Sequence, residues 1–233
     1  MIYVLSDIHG REDRFDSILH QIHLKPNDHL YILGDVIDRN AGGIHLLRRI
    51  ARAKNMTMLL GNHEYMMLDA IDNPSDSKKR VLWQNRNGGD ITWAKWKYCT
   101  HAFQEEMLDY LHALPLNIEV SCGGTEWLLV HGAPETMYGK KELWKYGDSR
   151  SFAVWRRLSE YDDLPGGKTV IFGHTPTDYY RPKCPMEIFY GNKRIGIDCG
   201  CAYPDGRLAC LRLDDGAVFY SKDAITLAGD EKS

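Results

Sequence analysis

The sequence predicts an α/β protein: two packed mixed sheets with helices outside. Three observations carry this expectation. Short apolar runs alternate with amphipathic stretches from Ile2 to Leu60, which is the pattern of β-α-β units. Three of the apolar runs, in YVLSDIHG, LYILGDVIDR and LLGNHE, each lead into a tight polar cluster. From 186 onward, short apolar runs are separated by Gly-Asn, Pro-Asp-Gly and Asp-Asp-Gly, the turns of antiparallel strands. At 233 residues the chain could form one substantial core or two small domains. No repeat, low-complexity tract or clear linker divides it. A single domain over 1–233 is therefore expected, with a helical insertion at about 72–113.

Residues 2–6 read as a first buried strand. Phe15, Ile18, Leu19 and Ile22 recur at helical spacing within 12–23, and Pro26 lies beyond that helix. Residues 29–33 give a second strand, 44–54 a second helix and 56–60 a third strand. Two β-α-β units of this kind imply parallel strands joined by right-handed crossovers. A helix is expected from His63 to Ile71, and a polar surface loop over 72–80. Residues 81–113 read as helical with a break near NRNGG, and Trp83, Trp93, Trp96, Phe103, Met107 and Leu111 as packing residues. A hairpin is expected from 116–121 and 126–130, an irregular stretch over 134–150, a short helix around 149–158 and a strand at 169–172. Strands at 186–190, 193–197, 207–213 and 216–220 complete the reading, with an antiparallel C-terminal part.

Composition narrows the function classes. The formal net charge is −3, which gives no global attraction to nucleic acid or to acidic membranes. No window approaches the roughly 18–20 apolar residues of a spanning helix. The opening MIYVLSDIHG has neither a basic n-region nor a long apolar h-region, so a cytoplasmic protein is expected. The six cysteines include no C-x-x-C pair, and a disulfide framework is not expected. Cys199 and Cys201 flank a candidate ligand-bearing loop, which leaves a redox role open.

The chemistry gathers at strand ends, where open α/β sheets collect ligands. Asp7 and His9 follow the first strand at a spacing that lets both reach one ion. Asp35 and Asn62 follow the next two, and His131 and His174 follow later ones. A single Asp or His in such a place is ordinarily a cap or a turn residue. Six such groups at the ends of five expected strands point instead to a dinuclear site. Carboxylate, imidazole and amide oxygen suit Mn²⁺, Fe, Co²⁺ or Zn²⁺. His20, His23, His29, His45, His101 and His112 lack this placement and are assigned to surfaces or helix packing.

The ordered motifs DIHG (7–10), GDVIDR (34–39), GNHE (61–64), VHG (130–132) and FGHTP (172–176) closely resemble those of the calcineurin-like metallophosphoesterases. Within them the layout is most similar to phosphoprotein phosphatases of the bacterial and phage lambda type. WRR (155–157) and IDCG (197–200) resemble further segments of that family. The resemblance implies a metallophosphoesterase-type α-β-β-α sandwich. It implies that Asp7 and His9 hold a first metal, that Asp35 bridges, and that Asn62, His131 and His174 hold a second. The metals implied are two divalent ions, Mn²⁺ first, with Fe, Zn²⁺, Co²⁺ and Ni²⁺ as alternatives. His63 would be the general acid, oriented by Asp38. Arg39 and one of Arg156 and Arg157 would clamp phosphate, with Arg157 favoured by the W-x-R spacing. Glu64 is read as structural, capping a helix start or bonding a neighbouring loop. Asn40 stands where many phosphoprotein phosphatases carry glycine, and Ala133 where eukaryotic members often do; neither supplies an expected ligand.

The expected activity is metal-dependent phosphomonoester hydrolysis by in-line attack of a metal-bridging hydroxide, most simply on phosphoserine and phosphothreonine in proteins. The alternative is symmetrical hydrolysis of bis(5′-nucleosyl) tetraphosphates, which needs a base pocket, with Trp93, Trp96, Tyr138 and Trp144 as candidate walls. A catalytically dead scaffold conflicts with the intact ligand set. The partner expected is a phosphorylated protein or small phosphoester, with no nucleic acid and no membrane, and the protein is expected to be a monomer or weak oligomer.

Overall fold

The computed structural model describes residues 1–182 and 186–222; Cys184 lies outside them. In chain order the N-terminal elements are β1 (Ile2–Leu5), α1 (Glu12–Ile22), β2 (His29–Ile32), α2 (Gly43–Ala51), β3 (Met56–Met58) and α3 (Asn62–Asp72). Next come α4 (Ser77–Arg80), a wider π-type turn over Val81–Arg86, α5 (Asp90–Trp96) and α6 (His101–His112). The second half holds β4 (Asn117–Cys122), β5 (Thr125–Val130), α7 (Leu143–Tyr146), α8 (Ser149–Trp155), β6 (Thr169–Phe172), β7 (Phe189–Gly191), β8 (Arg194–Gly196), β9 (Ala209–Arg212) and β10 (Val218–Tyr220).

The strands form two five-stranded mixed sheets, ordered β10-β9-β1-β2-β3 and β4-β5-β6-β8-β7. Alternation along each strand builds three apolar layers from these two sheets. Tyr3 and Leu5, Leu30 and Ile32, and Met58 and Leu60 face α1, α2, α3 and α6. Val4, Leu33 and Leu59 point the other way and meet Leu129, Ile171 and Ile195 between the sheets. Leu128, Val130, Val170 and Phe172 face Phe152 of α8 on the far side. The result is the expected α-β-β-α sandwich. Each fully buried aliphatic side chain in these layers contributes roughly 1.5–3 kcal/mol.

β1 pairs parallel with β2, and β2 with β3. β5 and β6 also run parallel. Their carboxyl ends therefore gather at one edge of the sandwich, where every expected ligand lies. The C-terminal strands differ from expectation in one respect. β7–β8 and β9–β10 are antiparallel pairs, but they belong to different sheets. The long connection after β6 lets β8 join β6 in parallel, while β9 returns to flank β1.

Residues 72–80 are also not wholly a loop. The Asp76 carboxylate accepts from Lys78 N at 3.0 Å and starts α4, a side-chain cap that the polar composition concealed. Among the expected packing residues, Trp83, Trp96, Met107 and Leu111 are buried, and Trp93 and Phe103 pack partly buried against them.

Candidate metal centre

The site begins with a strained backbone. Asp7, His9, Asp35, Asp38, Arg39 and His174 all have positive φ, between 48° and 71°, a region that non-glycine residues rarely enter. Such strain persists only where surrounding structure enforces it. Here the enforcement is visible. His9 N and Gly10 N donate to Asp35 O and Val36 O at 2.9 and 2.8 Å, tying the first two loops together. Glu64, fully buried, holds the second loop from below. Its carboxylate accepts from Asp35 N, Val36 N and Ile37 N at 2.9, 2.8 and 3.2 Å, and from Gly61 N at 3.2 Å. Glu64 thus caps α3 and bonds the neighbouring loop at once. Glycine is required at Gly61, where a Cβ would lie 2.3 Å from Asp35 N, and at Gly173, where it would lie 2.3 Å from Asp7 Oδ2.

On this frame the side chains converge into two clusters. Donor atoms of His9, Asp35 and His63 lie within 4.8 Å of one another, as do those of Asp35, His131 and His174. Asp35 is the shared member. Asn62 Oδ1 joins the second cluster, 2.9 Å from His131 Nε2 and 2.7 Å from His174 Nδ1. Asp7 sits beside the first: its Oδ1 is 4.0 Å from His9 Nε2, and its Oδ2 accepts from the Ser6 hydroxyl and from His174 N.

The donor chemistry fits a pair of divalent cations. His131 Nδ1 is 2.6 Å from Leu33 O, and His9 Nδ1 is 3.2 Å from Ile37 O. A carbonyl only accepts, so each Nδ1 carries the proton, and in the neutral ring each Nε2 presents a lone pair. Those lone pairs face oxygens, Asn62 Oδ1 for His131 and Asp35 Oδ2 at 3.7 Å for His9. Acceptor facing acceptor is an arrangement that a cation between them satisfies. Burial, the Asp198 charge and then Asp35 hold the Asp7 carboxyl well above its usual range; burial and then Glu64 do the same to Asp35. Burial pulls His9 and His174 well below the usual imidazole range. Two adjacent clusters of His and Asp able to hold a metal ion, sharing one carboxylate, fit a dinuclear site.

Beside the clusters lies a hydrogen-bonded pair. His63 Nδ1 is 2.7 Å from Asp38 Oδ2, and burial pushes the Asp38 carboxyl up to about 7. Burial first, and then the Arg39 charge, pull His63 well below the imidazole range. Arg39 Nη2 lies 3.2 Å from His63 Nε2. His63 belongs by distance to the first cluster, yet its Nδ1 is engaged away from it. Arg157 lines the cleft over the metal clusters. Arg156 instead pairs with Asp162 at 2.9 Å.

That cleft has a volume of about 580 Å³. Its rim carries three rings, Trp155, Tyr179 and Tyr203. They are not the rings expected from the sequence. Trp93 and Trp96 pack into the helical core, Tyr138 packs on Phe152 at 5.5 Å, and Trp144 is exposed elsewhere. Of residues 81–100 only Asn87 lines the cleft, and residues 134–150 contribute nothing to the lining. Asp198, buried and on the cleft wall, is a carboxylate that the sequence reading did not single out; its signal was the IDCG segment. The neighbouring Cys199 and Cys201 are buried, and burial pushes both thiols up to about 12. That is the opposite of a reactive thiolate.

Comparison with known proteins agrees with this geometry. The sequence model of the calcineurin-like phosphoesterase family matches residues 1–205. The chain is 31% identical over 181 residues to serine/threonine-protein phosphatase 1 of Salmonella typhimurium, covering 75% of this chain and 78% of that protein. It is 32% identical over 184 residues to a symmetrical bis(5′-nucleosyl)-tetraphosphatase of Acidovorax ebreus, covering 78% of this chain and 59% of that protein. The chain thus spans little more than half of the tetraphosphatase's length. The crystal structure of a metallophosphoesterase from Sphaerobacter thermophilus superimposes with a TM-score of 0.53 at 17% identity, over 99% of this chain and 92% of that one, a likeness of fold. Motif order, shared-carboxylate clusters, sandwich topology and a family match over most of the length converge, and the chain belongs to the calcineurin-like phosphoesterases, metal-dependent hydrolases of phosphoesters.

Proposed function

We propose that this chain hydrolyses bis(5′-nucleosyl) tetraphosphates symmetrically, with Asp7 and His9 holding one metal, Asn62, His131 and His174 a second, and Asp35 bridging them. Mn²⁺ is the proposed pair. When bound, the metals supply Lewis-acid neutralisation of phosphoryl charge and a coordinated water of lowered pKa. Arg39 and Arg157 face the same space and fit phosphate oxygens bidentately. An anionic phosphoryl group engaged by Arg39 favours the protonated form of His63. His63 then donates from Nε2 to the departing oxygen, while Asp38 holds Nδ1. Water adds its oxygen to phosphorus and gives up one proton to solvent, the P–O bond to the leaving group breaks, its oxygen takes the His63 proton, and two nucleoside diphosphates result.

The observation that carries the nucleotide reading is that Trp155, Tyr179 and Tyr203 line the arginine-bearing cleft. Flat aromatic faces beside a phosphate site suit nucleobases, each stacked base contributing about 1–3 kcal/mol. The tetraphosphatase-named relatives support it, the Acidovorax ebreus protein at 32% identity among them. The phosphoserine and phosphothreonine reading favoured by the motif layout keeps one specific support, the Salmonella typhimurium phosphatase matched over 78% of its own length.

The deciding experiment is parallel turnover of diadenosine tetraphosphate, phosphoserine and phosphothreonine peptides, and p-nitrophenyl phosphate, each with Mn²⁺, Fe²⁺, Zn²⁺ and Mg²⁺. The expected result is the highest kcat/KM on the tetraphosphate, with ADP as sole product. Efficient phosphopeptide turnover without tetraphosphate cleavage would replace this reading with the second.

A further inference from the structure

The Asp38–His63 pair is not held by the family motifs alone. Asp38 is wholly buried, and its carboxylate receives three side-chain donors. One is His63. The other two come from the helical segment between α4 and α6. Trp83 Nε1 donates to Asp38 Oδ2 at 2.9 Å, sharing that oxygen with His63. The Thr92 hydroxyl donates to Asp38 Oδ1 at 2.6 Å and accepts from Asp38 N at 3.0 Å. Trp83 and Thr92 are 1% and 2% exposed, so neither bond is exchanged with solvent.

The turn between them is built for this approach. A Cβ on Gly89 would lie 2.2 Å from Trp83 Nε1. Gly89 N donates to Trp83 O, and Arg39 N donates to Gly88 O, both at 3.1 Å. One short segment, Trp83 to Thr92, therefore grips Asp38 by its side chain and backbone and Arg39 by its backbone.

From this arrangement we infer that Trp83 and Thr92 are positioning residues for proton donation by His63, which makes the 81–96 segment part of the machinery that protonates the leaving group. The inference rests on the reading of His63 as proton donor. In the step concerned, the P–O bond breaks, its electron pair goes to the leaving oxygen, and the His63 Nε2 proton goes to that oxygen. Donation needs the ring proton on the cleft side and the ring in one orientation. Asp38 fixes both only while its own carboxylate is fixed. Without the Thr92 hydroxyl, Oδ1 is a buried acceptor without that donor, and the carboxylate can rotate away from Nδ1.

The test is leaving-group dependence. A series of aryl phosphates from phenyl to p-nitrophenyl changes how much the leaving oxygen needs a proton and leaves the phosphoryl group unchanged. In Trp83→Phe and Thr92→Val, kcat on phenyl phosphate is expected to fall roughly tenfold, the low end of general acid catalysis. The loss on p-nitrophenyl phosphate should be at least threefold smaller, steepening the dependence of kcat on leaving-group acidity. Thr92→Ser keeps the hydroxyl and should restore the shallow dependence. Metal content should match the parent protein throughout. Equal losses along the series, or Thr92→Ser behaving as Thr92→Val, overturn the inference. Should Trp83→Phe not fold, the Thr92 pair decides alone. His63→Asn serves as the control, expected to lose about 10² on phenyl phosphate with metal retained. An unsteepened series in His63→Asn sinks the donor assignment itself. A steep series there with shallow ones in the Trp83 and Thr92 variants sinks only the positioning role.

Discussion

The two halves of the cleft are held in different ways. The strand-end half, from Asp7 to His63, is buried and over-determined. Its loops extend the β1–β2 pairing, and Glu64 accepts four backbone N–H groups beneath them. The rim half comes from loops after β6 and β8 and from the end of α8. There the backbone is fixed while the Tyr179 and Tyr203 rings stay largely in solvent. Arg14 of α1, 2% exposed, reaches Cys201 O at 2.8 Å and Tyr203 O at 3.3 Å. The Tyr203 and Tyr179 rings above are 44% and 64% exposed. Charge chemistry needs donors fixed before substrate arrives, whereas recognition tolerates side chains that settle onto a ligand. Damage to the first half should therefore appear in metal content and kcat, and damage to the second in KM and substrate choice.

The largest effect should follow from Asp35→Asn. Asp35 is the carboxylate common to both clusters, and its Oδ1 also accepts from His63 N at 3.0 Å. Replacing it is expected to lower kcat on every substrate by on the order of 10³, since metal ions contribute several kcal/mol to such reactions. Metal analysis should show both ions weakened. Two tightly bound ions in that variant would contradict the shared role and would break the division between the halves at its firmest point.

What the sequence disclosed follows the same division. Strands, sandwich and metal half were legible because each signal was local: an apolar run, then Asp, His or Asn, often beside a glycine. The positive φ values of Asp7, Asp35 and Arg39 could not be read from their letters, since those residues usually avoid that region. Tertiary bonds impose it. The rim was misread because rings are placed by tertiary contacts. Trp93 and Trp96 are spaced for a helix and went into the core, whereas Trp155 reaches the cleft from the end of α8 and Tyr203 from the loop after β8. Arg14 illustrates the same limit, since an arginine on an amphipathic helix reads as solvent-facing and here lies buried. Nothing local marked Thr92 as a partner of Asp38, 54 positions away.

Between the halves stand the arginines, and the next effect in size tests which half they belong to. Arg157 lines the cleft and Arg156 is tied to Asp162. Arg157→Ala should lower kcat by about 10², the usual cost of one preorganised donor to transition-state charge. Metal content should be unchanged. Arg156→Ala should alter kcat less than about threefold, as expected for a pair of this partly exposed kind. Reversed magnitudes would transfer the phosphate contact to Arg156. A loss confined to KM would move Arg157 to the recognition half.

The smallest effect should also be the most selective. Tyr203 holds its ring beside Arg39, whose guanidinium carbon is 5.9 Å from the ring centroid. A base stacked on Tyr203 would leave its phosphates within reach of that arginine, so one residue links the halves. Tyr203→Ala removes the platform, yet Arg14 still holds the loop backbone through carbonyls that the substitution leaves in place. KM for diadenosine tetraphosphate is expected to rise about tenfold, in line with 1–3 kcal/mol for a stacked base. Turnover of p-nitrophenyl phosphate, which has no base to stack, should change far less. Equal effects on both substrates would mean that the ring supports Arg39 rather than a base, and the rim would then belong to the chemistry after all.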